Sequence, residues 1–288
     1  MSTAFSLRIA PVIFAALLPT IIANAVQAEE ETSWRLDAAD KIETALQASE
    51  LQDDPERKIT VLKSVAAETL RTMSVNLFVA DALGKVQQTK ITDPRKLAKE
   101  WRTALTEARD ILRFQPLMES PLPEGFPRPT PVGEIRVQTY PKYRLAKTDM
   151  TLIEGRAFWT LFNHIKQKEI AMTAPVEMTY STEGNGAAKK SAMSFMYRST
   201  DQGQLGVEGK VEVIDVPPLT AVSIGLRGDA TKDRVADAKR RLDTWLQVHG
   251  DEYESSDALR ILGYNSPFVS DEKRFTEVQI PVRSKRSD

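Results

Sequence analysis

The sequence predicts an α+β protein: a small α-helical region followed by a mixed domain of strands and helices. Three observations carry this. From residue 32 to 118, apolar residues recur at spacings of three and four. Between residues 121 and 131 stand five prolines, Pro121, Pro123, Pro127, Pro129 and Pro131, a density that forbids helix and stiffens the chain. Beyond them an alternating, strand-like pattern takes over, interrupted by two stretches of helical spacing. The expected organisation is therefore a separate leader at 1–28, a helical region at 29–118, a proline-rich linker at 119–133 and a mixed domain at 134–288.

In the helical region, Leu36, Ala39, Ile42 and Leu46 form one apolar stripe, and Pro55 interrupts. A longer stretch places Ile59, Leu62, Ala66, Leu70, Met73 and Leu77 on one face, with Gly84 where a C-cap would stand. The third helix has the clearest start, Asp93 as N-cap and Pro94 at the first helical position. Its inner face reads Leu97, Trp101, Leu105, Ala108 and Leu112. Three amphipathic helices of this length pack as a small bundle, with Trp34 and Trp101 as core anchors.

In the mixed domain, strands are expected at 135–140 and 143–148, a helix at 154–167, and strands at 176–180 and 192–197. Asn185-Gly186 supplies a hairpin turn between the last two. The order then repeats: strands at 211–216 and 220–226, a helix at 232–248 ending at His249-Gly250, and strands at 258–262 and 276–282. Two successive units of strand, strand, helix, strand, strand predict a distorted open β-barrel of two pseudo-repeats with two flanking helices.

Composition removes several functions. The chain has 288 residues, with 39 Lys and Arg against 40 Asp and Glu. A net charge of −1 offers no surplus of cations for nucleic acid. With no cysteine and two histidines, thiolate chemistry, iron–sulfur clusters and multi-histidine metal sites lack ligands. Residues 1–28 carry one charge, Arg8, then an apolar run and a small-residue end, the pattern of a secretory signal peptide cleaved after Ala28 or Ala25. The expected product is exported, periplasmic or secreted, and keeps no membrane span.

The run Ile170-Ala-Met-Thr-Ala-Pro-Val176, directly after the helix at 154–167, resembles the signature of the SOUL haem-binding protein family. Tyr140 with its strand, the helix from Gly155 to Ile165, the stretch Gly263-Tyr-Asn-Ser-Pro267 and the run Phe275-Thr-Glu-Val-Gln-Ile-Pro281 follow in the family's order. The resemblance covers about residues 134–282. It implies a barrel shared with bacterial multidrug-effector-binding domains, and haem or another tetrapyrrole as ligand. Carried over residue by residue, it implies a site formed by Arg156, Phe158, Phe162, Asn163 and Lys166 on the helix, with Lys273 and Arg274 on the loop before the last strand. Some members have a proposed axial histidine in the first strand, where this chain has Thr139; His164 on the helix is the candidate substitute.

The function expected from these readings is non-catalytic haem or tetrapyrrole binding, by sequestration or delivery. The alternative is an extracytoplasmic scaffold that takes a protein partner through the helical region. Catalysis is the weakest reading: neither histidine stands in a nucleophile motif, which leaves a carboxylate-only mechanism, using for example Glu177 or Glu277.

Overall fold

The computed structural model describes residues 17–73, 75–150, 154–182 and 188–285, and its side chains from Ser33 onward apart from residues 182, 188 and 189. The expected signal peptide therefore lies outside the described residues over 1–16, and over 17–28 only its helical backbone is described. The Asn185-Gly186 turn also lies outside them. Among the described residues no helix is long and apolar enough to cross a membrane. The chain divides into two compact units, residues 1–72 with 91–113, and residues 73–90 with 114–288.

The first unit packs three helices, α1 (Leu17–Glu50), α2 (Pro55–Thr72) and α4 (Pro94–Arg113). Asp93 starts α4 as its sequence demands, its carboxylate accepting from the Lys96 N–H at 2.8 Å. The seam is apolar: Ala39 and Ile42 from α1, Leu62 and Ala66 from α2, and Trp101, Leu105 and Ala108 from α4 are all buried. Arg109 bonds Glu43 across the seam at 2.7 Å. Trp34 does not join this core; it is 55 % exposed, because it precedes the stripe that begins at Ala38.

The long helical stretch expected after Pro55 is two helices. α2 ends at Thr72, and α3 (Leu77–Gln87) belongs to the second unit. Asn76 makes the break: its side chain accepts from the Val79 N–H at 3.1 Å and donates to the Val132 carbonyl at 2.8 Å. Gly84 lies inside α3 and not at its end.

The second unit is built on one ten-stranded antiparallel sheet. Its strands are β1 (Ile135–Tyr140), β2 (Tyr143–Asp149), β3 (Val176–Thr182), β4 (Ala188–Met196), β5 (Gly206–Glu208), β6 (Val211–Val216), β7 (Leu219–Arg227), β8 (Tyr253–Ser255), β9 (Arg260–Gly263) and β10 (Phe275–Ser284). They run β1-β7-β10-β9-β3-β4-β2-β6-β5, with β8 on the far half of β10. Pro141 and Lys142 alone join β1 to β2, although six steps of the path separate them. Six steps across a flat sheet are roughly 29 Å, whereas three residue spacings reach about 11 Å. The sheet must therefore curl until the end of β1 meets the start of β2.

The curled sheet is not a closed barrel. β1 pairs in a ladder only with β7, and β5 only with β6. Closure would have to run through β5, three exposed residues whose ladder is made with β6. With β5 left out, the strand order reads the same from either end when β1, β2, β3 and β4 are exchanged for β6, β7, β9 and β10.

α5 (Glu154–Gln167) packs on β2, β4 and β6, and α6 (Lys232–Val248) on β7, β8 and β10. Leu161 and Ile165 of α5, Ala238 and Leu242 of α6, and Phe195, Val222, Ile224, Ile261, Val278 and Ile280 of the sheet share one apolar core. Leu77 and Phe78 of α3 pack against the same core. The helices thus cover one face of the sheet.

Candidate functional site

α5 presents two flanks. Ala157, Leu161, His164 and Ile165 are buried against the sheet. Phe158 and Phe162, one turn apart, are half-buried at one edge of that stripe. Their rings lie 6.1 Å apart and are inclined by only 13°. Phe158 is held edge-on to Phe195 of β4 at 5.1 Å, and Trp159, 59 % exposed, meets both phenylalanines edge-on. Lys166, exposed, continues the 158–162 row by one further turn. The product is an aromatic strip at the solvent edge of α5, two nearly parallel rings with a third set across them, and a cation at its end.

The other expected site residues are not gathered there. Arg156 and Asn163 are exposed, and at 3.6 residues per turn they point away from the sheet, on the far side from Phe158. His164 is two positions beyond Phe162, near the opposite side of the helix. It is buried, its Nε2 is 3.0 Å from the Tyr197 hydroxyl, and its Nδ1 faces Glu208 at 3.9 Å. Burial holds its pKa below the ordinary 6.5 despite Glu208. Its ring is thus occupied by protein contacts and does not face the aromatic strip. Among the described residues no group of three His, Cys, Asp or Glu could hold a metal ion.

Lys273 and Arg274 stand at the short 3-10 turn Asp271–Lys273, which packs on β7, away from the strands under α5. Arg274 is committed: it pairs with Asp229 and donates to the carbonyls of Val269 and Pro267 at 2.6 Å each. For a haem, then, the residues offer aromatic surface at Phe158, Phe162 and Trp159 and a cation at Lys166 for a propionate; they supply no ligand nitrogen there.

The signature run that follows α5 is a support for the sheet. Thr173 is buried and its hydroxyl donates to the Met196 carbonyl of β4 at 2.5 Å, a bond across the fold. Met172 is half-buried against the core. His249 caps α6, its Nδ1 2.8 Å from the Trp245 carbonyl and its ring stacked on Trp245.

The face of the sheet opposite α5 and α6 holds a second constellation. Arg260 of β9 is almost fully buried, and so are Tyr140, Tyr143, Glu177, Ser223, Tyr264, Glu277 and Gln279. Arg260 donates through Nε to Gln279 at 2.9 Å, and through Nη1 to the Tyr143 hydroxyl and to Glu177, each at 3.0 Å. Its guanidinium also lies over the Tyr140 ring, 4.6 Å from the centroid. Gln279 in turn donates to Tyr140 at 2.6 Å and to Ser223 at 3.1 Å, and Ser223 donates to Glu277 at 2.9 Å. Tyr264, from the closing stretch of the family resemblance, donates to the other Glu277 oxygen. Burial is the largest single influence on Arg260 and opposes its charge, but Glu177, Tyr143 and Tyr140 together outweigh it and hold the guanidinium above its ordinary pKa. Burial likewise pushes up Tyr140, Tyr143 and Tyr264.

Residues 114–133 form a strap over this face. Phe114 stacks near Phe275, Asn265 donates to the Leu117 carbonyl at 2.7 Å, and the Ala174 N–H donates to the Pro121 carbonyl at 3.0 Å. The Thr130 N–H donates to Glu277 at 2.7 Å. Half-buried Phe126 sets its ring edge-on against Tyr140 at 5.0 Å and Tyr143 at 5.2 Å. Gly225 is required where the strap lies on β7, since a Cβ there would stand 2.2 Å from the Thr130 carbonyl. The proline-rich stretch is therefore an ordered part of the second unit.

Local sequence pattern does not mark Trp159 or the strap as part of a site. A signal existed for Arg260, an arginine flanked by Leu259 and Ile261 in a strand. Glu177 and Glu277 were singled out, without their shared network.

The fold and these two surfaces define an α+β domain of one large curled sheet with helices on one face. The model of the SOUL heme-binding protein family matches residues 130–281, which is 152 of the 288 residues, and the chain belongs to that family. No curated protein matches the sequence. Among solved structures, the chain is similar to the EcmrR C-terminal domain, at 17 % identity and TM-score 0.40 over 52 % of this chain and 97 % of that one. It is similar to a hydrolase from Listeria innocua at 12 % identity and TM-score 0.40, covering 54 % and 93 %. It is also similar to SAV2435 bound to tetraphenylphosphonium at 16 % identity and TM-score 0.33, covering 52 % and 94 %.

Proposed function

We propose that the protein binds haem or a similar flat tetrapyrrole on the outer edge of α5 and sequesters or delivers it without catalysis. The observation that carries this reading is the pair of nearly parallel, half-buried rings of Phe158 and Phe162 with Trp159 exposed beside them. Family membership supports the ligand class. Phe158, Trp159 and Phe162 supply the apolar face, and Lys166 pairs with a propionate. A bound haem would supply its own redox chemistry. The chain's part is to hold the ring and shield one side of it from water. The leader-like pattern of residues 1–28 supports an exported protein, and a strand order that is palindromic apart from β5 supports a domain of two pseudo-repeats.

A haemin titration followed at the Soret band tests the reading. Saturable one-to-one binding is expected in the parent chain. Phe162→Ala should weaken it by about tenfold, the scale of one aromatic contact with its buried area. Lys166→Gln should weaken it by a few-fold, as one exposed ion pair does. His164→Ala should leave the spectrum unchanged. No saturable binding, or a spectrum that changes only in His164→Ala, overturns the α5 site.

A further inference from the structure

We propose that the face of the sheet opposite α5 and α6 is a second binding site, for a neutral planar ligand bearing a hydrogen-bond acceptor such as an amide or ketone carbonyl, and that Phe126 holds the ligand's place when the strap is closed. The first support is Arg260. Two of its three nitrogens are bonded, whereas Nη2 is fully buried and has no hydrogen-bond partner. A buried guanidinium N–H left unmade is costly, so the network lacks an acceptor.

The glutamates do not fill that need. Glu277 accepts from Thr130, Ser223 and Tyr264, and Glu177 already takes Nη1. The ligand class follows from this count. A cationic ligand brings donors where an acceptor is missing. An anionic one adds a third acid to a cluster with two glutamates and one arginine, at a buried position where like charges repel. A neutral carbonyl satisfies Nη2 at neither cost.

The second support is the cover. The guanidinium and the Phe126 ring both lie against the Tyr140 ring, at 4.6 Å and 5.0 Å. Phe126 is half-buried, between solvent and the two tyrosines. An aromatic ligand would reproduce its edge-on contacts and add the missing acceptor. Access requires that ring to swing aside, while the strap stays anchored at Pro121 and Thr130.

The test is calorimetric titration of the full chain carrying Phe126→Ala with benzamide, benzoate, benzylammonium and toluene. Benzamide should bind at least about tenfold tighter than toluene, the value of one hydrogen bond to a charged donor. It should also bind tighter than benzoate or benzylammonium, and more weakly to the parent chain. Arg260→Lys in the same background should abolish the benzamide preference. If that variant fails to fold, the Arg260 side-chain N–H resonances should shift with benzamide and not with toluene. No saturable binding to the Phe126→Ala chain overturns the site, and equal or tighter binding of toluene, benzoate or benzylammonium overturns the ligand class. Haemin binding at α5 should be unchanged by Phe126→Ala, so this proposal and the haem reading fail separately.

Discussion

Strand β10 has two buried faces of opposite chemistry. Val278, Ile280 and Val282 enter the core beneath the helices, while Glu277 and Gln279 point into the polar network under the strap. On the apolar side, burial is non-directional, and any side chain of the right volume contributes. On the polar side every buried group needs a partner, so the network specifies one arrangement and tolerates little change. The first face builds the fold; the second makes a place that discriminates.

The largest expected effect breaks the polar face. Arg260→Met leaves Glu177 buried without its partner and the Gln279 carbonyl without its donor. Losing one partner of a buried ion pair costs about 3–5 kcal/mol, which lowers the melting temperature by about 10 °C for a domain of this size. Pairing it with Glu177→Leu should recover part of the loss, because an apolar replacement of both partners removes the stranded charge. Thermal denaturation of the three variants decides; an additive double variant would deny the coupling.

On the apolar face, Ile261→Ala opens a cavity where Ile261 is fully buried, for about 3 kcal/mol. Urea denaturation should place it below Arg260→Met in cost, although the two residues are neighbours on β9. The reverse order would mean that the network contributes less than packing.

Gly225→Ala acts on the cover. Its Cβ cannot coexist with the Thr130 carbonyl at 2.2 Å, so the strap must lift, at about 1–3 kcal/mol. Hydrogen exchange should accelerate in residues 121–133 and stay unchanged in α5 and α6. Uniform acceleration would show instead that strap and sheet open as one.

The difference between the faces also explains what could be read in advance. α5 and α6 fall where apolar spacing and the His249-Gly250 end put them, and β6 spans the alternating run at 211–216. These elements are defined by local pattern. The break after Thr72 depends on Asn76 bonding Val132, fifty-six residues away, which no local period records. The polar face was hidden for a related reason. In Thr-Glu-Val-Gln-Ile the polar residues read as a solvent face, and only the curl of the sheet and the strap over it turn them inward. The aromatic strip was half legible: Phe158 and Phe162 were found, but helix geometry separates them from Arg156, Asn163 and His164.

The smallest expected effect concerns His164 and sharpens its assignment as a structural residue. Burial lowers its pKa below 6.5 in the folded chain; Lys168 acts the same way and Glu208 opposes them. In the window just below 6.5 the unfolded chain binds a proton that the folded chain refuses. Stability therefore rises with pH across that window and falls on acidification through it. His164→Gln removes the difference, and its stability between pH 5 and 7 should be flatter than that of the parent chain. Loss at much lower pH should be common to both, because Asp215, held down to about 2 by Arg144 and Lys142, takes up its proton only there. If the parent chain gained stability on acidification through this window, its imidazole would be favoured as the cation. His164 would then belong with Glu208 as an ion pair and not with Tyr197 as a neutral partner.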